Sequence, residues 1–166
     1  MLMKWVMVSN SSSGKHFELW KEGTKLVSLT ISTCTKISRI ECATEKRLFF
    51  IEKKGFLQNR TVIKNEYGIL MGELHGETWE ADRGFIELDG RKYAYSLDTG
   101  EEPGLVIYEE LSMKPLVHCQ LAATHEDAAA IVKKSKSLHD TRYPNLLMAL
   151  CWYLLKLSPA EVEIVA

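Results

Sequence analysis

The stretch "YPNLLMALCWYLLKLSP", Tyr143 to Pro159, constrains this chain more than any other. Leu146 to Leu155 run apolar without interruption, in straight-chain and small residues that favour helix, and Ser158-Pro159 ends the run. At about 3.6 residues per turn, Leu146, Leu147, Met148, Leu150, Cys151, Trp152, Leu154 and Leu155 leave no polar face. Protein or lipid must therefore enclose the helix on every side. A helix over about 143–157 spans roughly 20 Å, short of the ~30 Å of bilayer hydrocarbon. Asn145 and Lys156 close it too early to extend it, so no transmembrane segment is expected.

The rest of the chain offers the enclosure. From Met3 to about Leu121 it repeats one pattern, a short run rich in Val, Ile, Leu, Phe, Tyr and Thr followed by a turn signal. "FELWKEGTKLVSLTI" reads as a hairpin around Glu22-Gly23, and "GFIELDGRKYAYSL" as a hairpin around Asp89-Gly90. In the second, Ile86 and Leu88, then Tyr93, Tyr95 and Leu97, recur at period two, as a strand with one buried face requires. Further strands are expected near Met3 to Val8, Lys36 to Glu41, Arg47 to Lys53, Arg60 to Lys64, Ile69 to Leu74, Glu77 to Ala81, Leu105 to Glu109 and Pro115 to Leu121. With His16 to Trp20 and Lys25 to Ile31 the total is about twelve, joined by short turn-rich connections that favour an antiparallel meander. Thr124 to Ser137 fits either an amphipathic helix with a capping-box start at Thr124 and Asp127, or a last strand through "AAAIV".

Barrels of about eight strands fill with their own side chains, whereas about twelve leave a lumen that a helix roughly 10 to 12 Å across can plug. The expected fold is mainly β: a closed antiparallel barrel of about twelve strands enclosing the apolar helix near the C-terminus. Residues 1–166, 46% of them hydrophobic, are expected to form that one domain.

Twelve strands followed by the "LLMALCWYLLKL" helix resemble the tubby C-terminal-like superfamily, which includes tubby proteins, phospholipid scramblases and plant LURP-one-related proteins. The "ALCWYLL" run looks like small bacterial members. The resemblance covers nearly the whole chain in architecture and the helix alone in motif. It implies a barrel with a central helix, and it brings to mind the phosphoinositide binding of tubby domains and the membrane association of scramblases. Scramblases also carry a proposed calcium-binding segment beside the helix; here "KKSKSLHDTRYP" is basic, with Asp140 its only carboxylate, so that ligand does not carry over.

The net charge of -1 offers no global field for a polyanion, and nucleic acid is not an expected partner. The N-terminus "MLMKWVMVSN" is interrupted by Lys4 and reads as no signal peptide; with four cysteines that lack metal-type spacing, a reducing, cytoplasmic setting is expected. The N-glycosylation patterns at Asn10 and Asn59 carry no weight there. Asp98-Thr99-Gly100 matches the aspartic-protease triplet only in part, since Glu101 follows, and it reads as a turn. The five histidines show no HxH or HExxH spacing. "SNSSSGKH" lacks the first glycine of a P-loop and reads as a polar loop before a strand. No catalytic, metal or cofactor residue is assigned.

The one assigned site is basic: Lys133, Lys134 and Lys136, with Arg142, are expected to form an electropositive mouth at one end of the barrel that meets anionic, phosphoinositide-type lipid headgroups. Lys53, Lys54, Arg60 and Lys64, interleaved with Glu52 and Glu66, read as mixed edge charge without a ligand. The functional expectation is thus a non-enzymatic intracellular binding or regulatory module, peripheral at a membrane surface. The alternatives are a carrier of a small apolar ligand in the barrel and an enzyme whose site lies on loops at the barrel mouth.

Overall fold

The computed structural model describes residues 2–55, 60–76, 82–98, 101–122 and 129–156. Among these lie twelve strands: β1 (Met3–Ser11), β2 (Gly14–Lys21), β3 (Thr24–Ser32), β4 (Ile37–Cys42), β5 (Arg47–Lys54), β6 (Arg60–Asn65), β7 (Leu70–Gly76), β8 (Arg83–Leu88), β9 (Arg91–Asp98), β10 (Gly104–Glu109), β11 (Pro115–Leu121) and β12 (Ala130–Lys134). A short 3-10 helix (Lys136–Asp140) and α1 (Pro144–Lys156) follow. Every strand pairs antiparallel with its neighbours in sequence, and β12 pairs with β1 to close the barrel.

The two predicted hairpins form for the reason read from their residues. Glu22 and Gly23 have φ of 50° and 78°, and Asp89 and Gly90 have 51° and 79°, the positive values that a type I′ turn needs at both central positions. Such turns match the right-handed twist of their strands, which fixes the register from Leu88↔Arg91 up to Arg83↔Ser96.

The unresolved choice over Thr124 to Ser137 ends in a strand. Ala130 and Val132 are buried inward, and Met3↔Val132, Lys4↔Ile131 and Trp5↔Ala130 form the closing seam. Residues 123–128, with the capping-box reading, lie outside the described residues, as does the strand expected at Glu77 to Ala81. The described residues hold twelve strands, β12 among them.

The period-two pattern turns a row of buried side chains inward on most strands, and α1 packs chiefly on β3, β4, β10 and β11. Trp5, Phe17, Leu19, Val27, Leu29, Ile40 and Phe49 are 0% exposed, and so are Leu146, Leu147, Ala149, Leu150, Cys151 and Leu155 of the helix. Trp152 stacks on Trp5 with ring centroids 6.1 Å apart and meets the edge of Phe17 at 5.2 Å. Cys151 Sγ donates to the Leu105 carbonyl at 3.3 Å. Helix and sheet side chains thus form one continuous buried cluster, with α1 inside the ring of strands. Among the described residues no helix is long and apolar enough to cross a membrane.

Candidate functional site

Because the barrel is an antiparallel meander, its turns alternate between two rims. The turns after β2, β4, β6, β8 and β10, the start of β1 and the end of β12 share one rim, called upper here. The 3-10 helix and the first turn of α1 sit there too. Asn145 Nδ2 donates to Thr44 Oγ1 at 3.0 Å and to Glu45 Oε1 at 2.8 Å in the β4–β5 turn. Arg142 Nη1 donates to Asp89 Oδ2 at 2.7 Å in the β8–β9 turn. The chain is thus tied to two separate turns as it dives into the lumen.

The upper rim gathers exposed apolar side chains. Of the nine large hydrophobic residues exposed among those described, Leu2, Tyr67, Ile69, Leu70, Leu111 and Met113 lie at this rim. Leu111, at the tip of the β10–β11 turn, is 96% exposed, and Tyr67, in the β6–β7 turn, is 80% exposed. Met7 and Val8 lie farther along β1, and Ile37 starts β4 at the other rim. Turn tips normally carry small and polar residues, so large apolar ones concentrated on one rim need an explanation.

The four basic residues expected to act together all lie at the upper rim, where Lys133 and Lys134 line one pocket and Lys136 and Arg142 stand outside its lining. Lys134 ends β12 and faces Lys21, the last residue of β2, across the start of β1. A pocket of about 280 Å³ opens there, lined by Met3, Lys21, Val132, Lys133 and Lys134, with no carboxylate among the described residues of its lining. Burial, then the charge of Lys21, holds the Lys134 ammonium below the ordinary lysine range. Lys133 is exposed and stands in register with His118 of β11. The His118 imidazole titrates below its ordinary value, through burial first and the Lys133 charge second. Lys136 begins the 3-10 helix on the same rim. Arg142 differs in kind: its guanidinium is engaged by Asp89 and lies 5.8 Å from the Tyr143 ring centroid, anchoring the chain. At 75% side-chain exposure that ion pair contributes little stability and serves mainly to orient.

Lys21 is the member that sequence reasoning missed. Only ring closure puts the end of β2 beside the end of β12, on either side of Met3.

Other candidate chemistry resolves plainly. Gly14 and Lys15 open β2 of a hairpin, and no helix follows them, so they lack the context of a phosphate loop. Asp98 ends β9, while Thr99 and Gly100 lie outside the described residues, as does Asn59. No group of three or more His, Cys, Asp or Glu among the described residues is placed to hold a metal ion. Lys64 of the second basic cluster pairs with Glu52 at 2.9 Å, and Arg60 pairs with Glu73, in keeping with mixed surface charge.

No protein-family model, no curated protein and no solved structure matches this chain.

Proposed function

We propose that the protein is a non-enzymatic binding module that docks by its upper rim on an anionic membrane surface. This reading agrees with the tubby-like resemblance of its helix and with a phosphoinositide-type headgroup as the favoured ligand. The observation that carries it is the coincidence on one rim of protruding apolar tips and a pocket whose charged lining among the described residues is lysine alone.

The two parts have complementary physical roles. Leu111, Met113 and Tyr67 project far enough to bury apolar surface at the acyl boundary, each contributing up to roughly 1.5–3 kcal/mol if fully buried. Lys21, Lys133 and Lys134 add about 1 kcal/mol each near an anionic leaflet, and a phosphate set between Lys21 and Lys134 relieves the repulsion of their ammonium groups. Each part alone gives weak, reversible binding.

Vesicle flotation tests the reading. Phosphatidylcholine vesicles doped with a phosphoinositide should carry the protein, and binding should weaken as salt is raised. Lys21→Gln/Lys134→Gln and, separately, Leu111→Ser/Met113→Ser should each reduce recovery at least about fivefold, a loss of roughly 1 kcal/mol. Equal recovery on undoped vesicles, or full binding by both double variants, refutes the proposal.

A further inference from the structure

A second cavity opens on the upper rim, between the β8–β9 turn, the β10–β11 turn and the 3-10 helix. It holds about 570 Å³, within the range of small-ligand sites. Its walls share no residue with the lysine pocket. Tyr93 and Leu116, both buried, form its floor.

The charged lining comprises Arg91, Lys92 and Lys114 against Glu109, Glu110 and Asp140. Lys92 and Glu110 face each other at 3.8 Å and offset one another. Arg91 lines the cleft beside Tyr93, close enough for its charge to act on the Tyr93 hydroxyl. Among the described residues Lys114, Glu109 and Asp140 have no ion-pair partner. The cleft therefore presents two cations, Arg91 and Lys114, and two carboxylates, Glu109 and Asp140, to whatever fills it.

We infer that this cleft binds a small zwitterion, a molecule with a primary ammonium at one end and a phosphate or carboxylate at the other. A simple anion would pair with Arg91 and Lys114 but lie beside Glu109 and Asp140, losing by repulsion much of what it gains. A simple cation meets the reverse difficulty. A neutral ligand displaces water from four charged groups and returns no charge-assisted hydrogen bond. Only a ligand carrying both charges answers both sets, and the buried Tyr93 and Leu116 accommodate the short apolar spacer between them. The same chemistry occurs in a free metabolite and in the headgroup of an ethanolamine lipid.

The test uses the full chain, with O-phosphoethanolamine as the probe in calorimetric or chemical-shift titration. It should bind at least about tenfold more tightly than inorganic phosphate or ethanolamine alone. Lys114→Gln and Asp140→Asn should each weaken it about tenfold, the effect of losing one charge-assisted contact, with unchanged melting temperature. Arg91→Gln should do the same, and Lys114→Gln decides the matter if losing the Tyr93 contact destabilises that variant. Capture on phosphatidylethanolamine vesicles but not on phosphatidylcholine vesicles assigns the lipid source. Binding of the free compound without capture assigns a soluble one, and both support the zwitterion site. Phosphate binding as tightly as the zwitterion, no binding at about 10 mM probe, or wild-type affinity in both Lys114→Gln and Asp140→Asn overturns it. Phosphoinositide vesicles in the same assay report on the lysine pocket separately.

Discussion

Replacing Leu150 by Ala tests whether α1 is the core of the barrel. Leu150 is 0% exposed near the middle of the helix, and the barrel walls enclose it. Truncation removes three carbons, worth roughly 2.5 kcal/mol of transfer free energy at about 0.8 kcal/mol each. A closed sheet collapses poorly around a missing side chain, so a cavity of about 60 Å³ adds roughly 1.5 kcal/mol at about 24 cal/mol per Å³. The expected loss is roughly 4 kcal/mol, a large part of a stability that is typically 5–15 kcal/mol for a domain. It corresponds to a fall of roughly 8–16 °C in melting temperature. Urea denaturation followed by tryptophan fluorescence reads it directly, because Trp152 and Trp5 stack within the core. The denaturant slope should stay constant. Leu111→Ala, at 96% exposure, is the control and should change stability by no more than about 0.5 kcal/mol. Leu150→Asp should yield no folded protein, since an unpaired carboxylate cannot be buried there. A Leu150→Ala loss below about 1 kcal/mol, or a folded monomeric Leu150→Asp, would show that the helix is not enclosed.

The remaining predictions concern thiols and pH. Of the four cysteines, Cys34 is exposed while Cys42, Cys119 and Cys151 are buried, so a thiol reagent should titrate one group in native protein and four in denaturant. Two or more fast-reacting native thiols would contradict the closed core. Burial pushes the Cys42 thiol from 9.0 up to about 12, so an unfolded chain loses that proton first. Stability should hold below pH 9.0 and fall as pH climbs from there towards about 12, less steeply in Cys42→Ala. At the acid end, the Leu48 backbone N–H and then Arg47 hold Glu66 below its ordinary 4.5. Lys64 does so for Glu52, and Arg60 for Glu73. A lowered folded value means this stabilisation is complete above pH 4.5 and disappears as pH falls through the lower folded values. Denaturation midpoints measured downward from pH 6 should therefore drop chiefly below about 4.5, and Glu66→Gln should flatten the decline. A midpoint independent of pH across that window would exclude these contacts as contributors.

By itself the sequence determined what depends on local chemistry. Period-two burial from Ile86 to Tyr95, positive φ at Asp89-Gly90 and the faceless apolar run of α1 each follow from neighbouring residues, and together they leave little besides a closed sheet around a helix. Everything that depends on which distant residues meet was decided by the tertiary structure. The segment Ala130–Lys134 is short and alanine-led, equally compatible with helix or strand, and becomes a strand because an open ring offers it the free edge of β1. That closure sets Lys21 beside Lys134. The barrel's alternating rims bring Leu2, Tyr67 and Leu111 to one end, and a turn far back in the chain claims Arg142 through Asp89. The physical reason is that strand propensity and turn type act over a few residues, whereas the contents of a rim are fixed only once the ring has closed and its register is set.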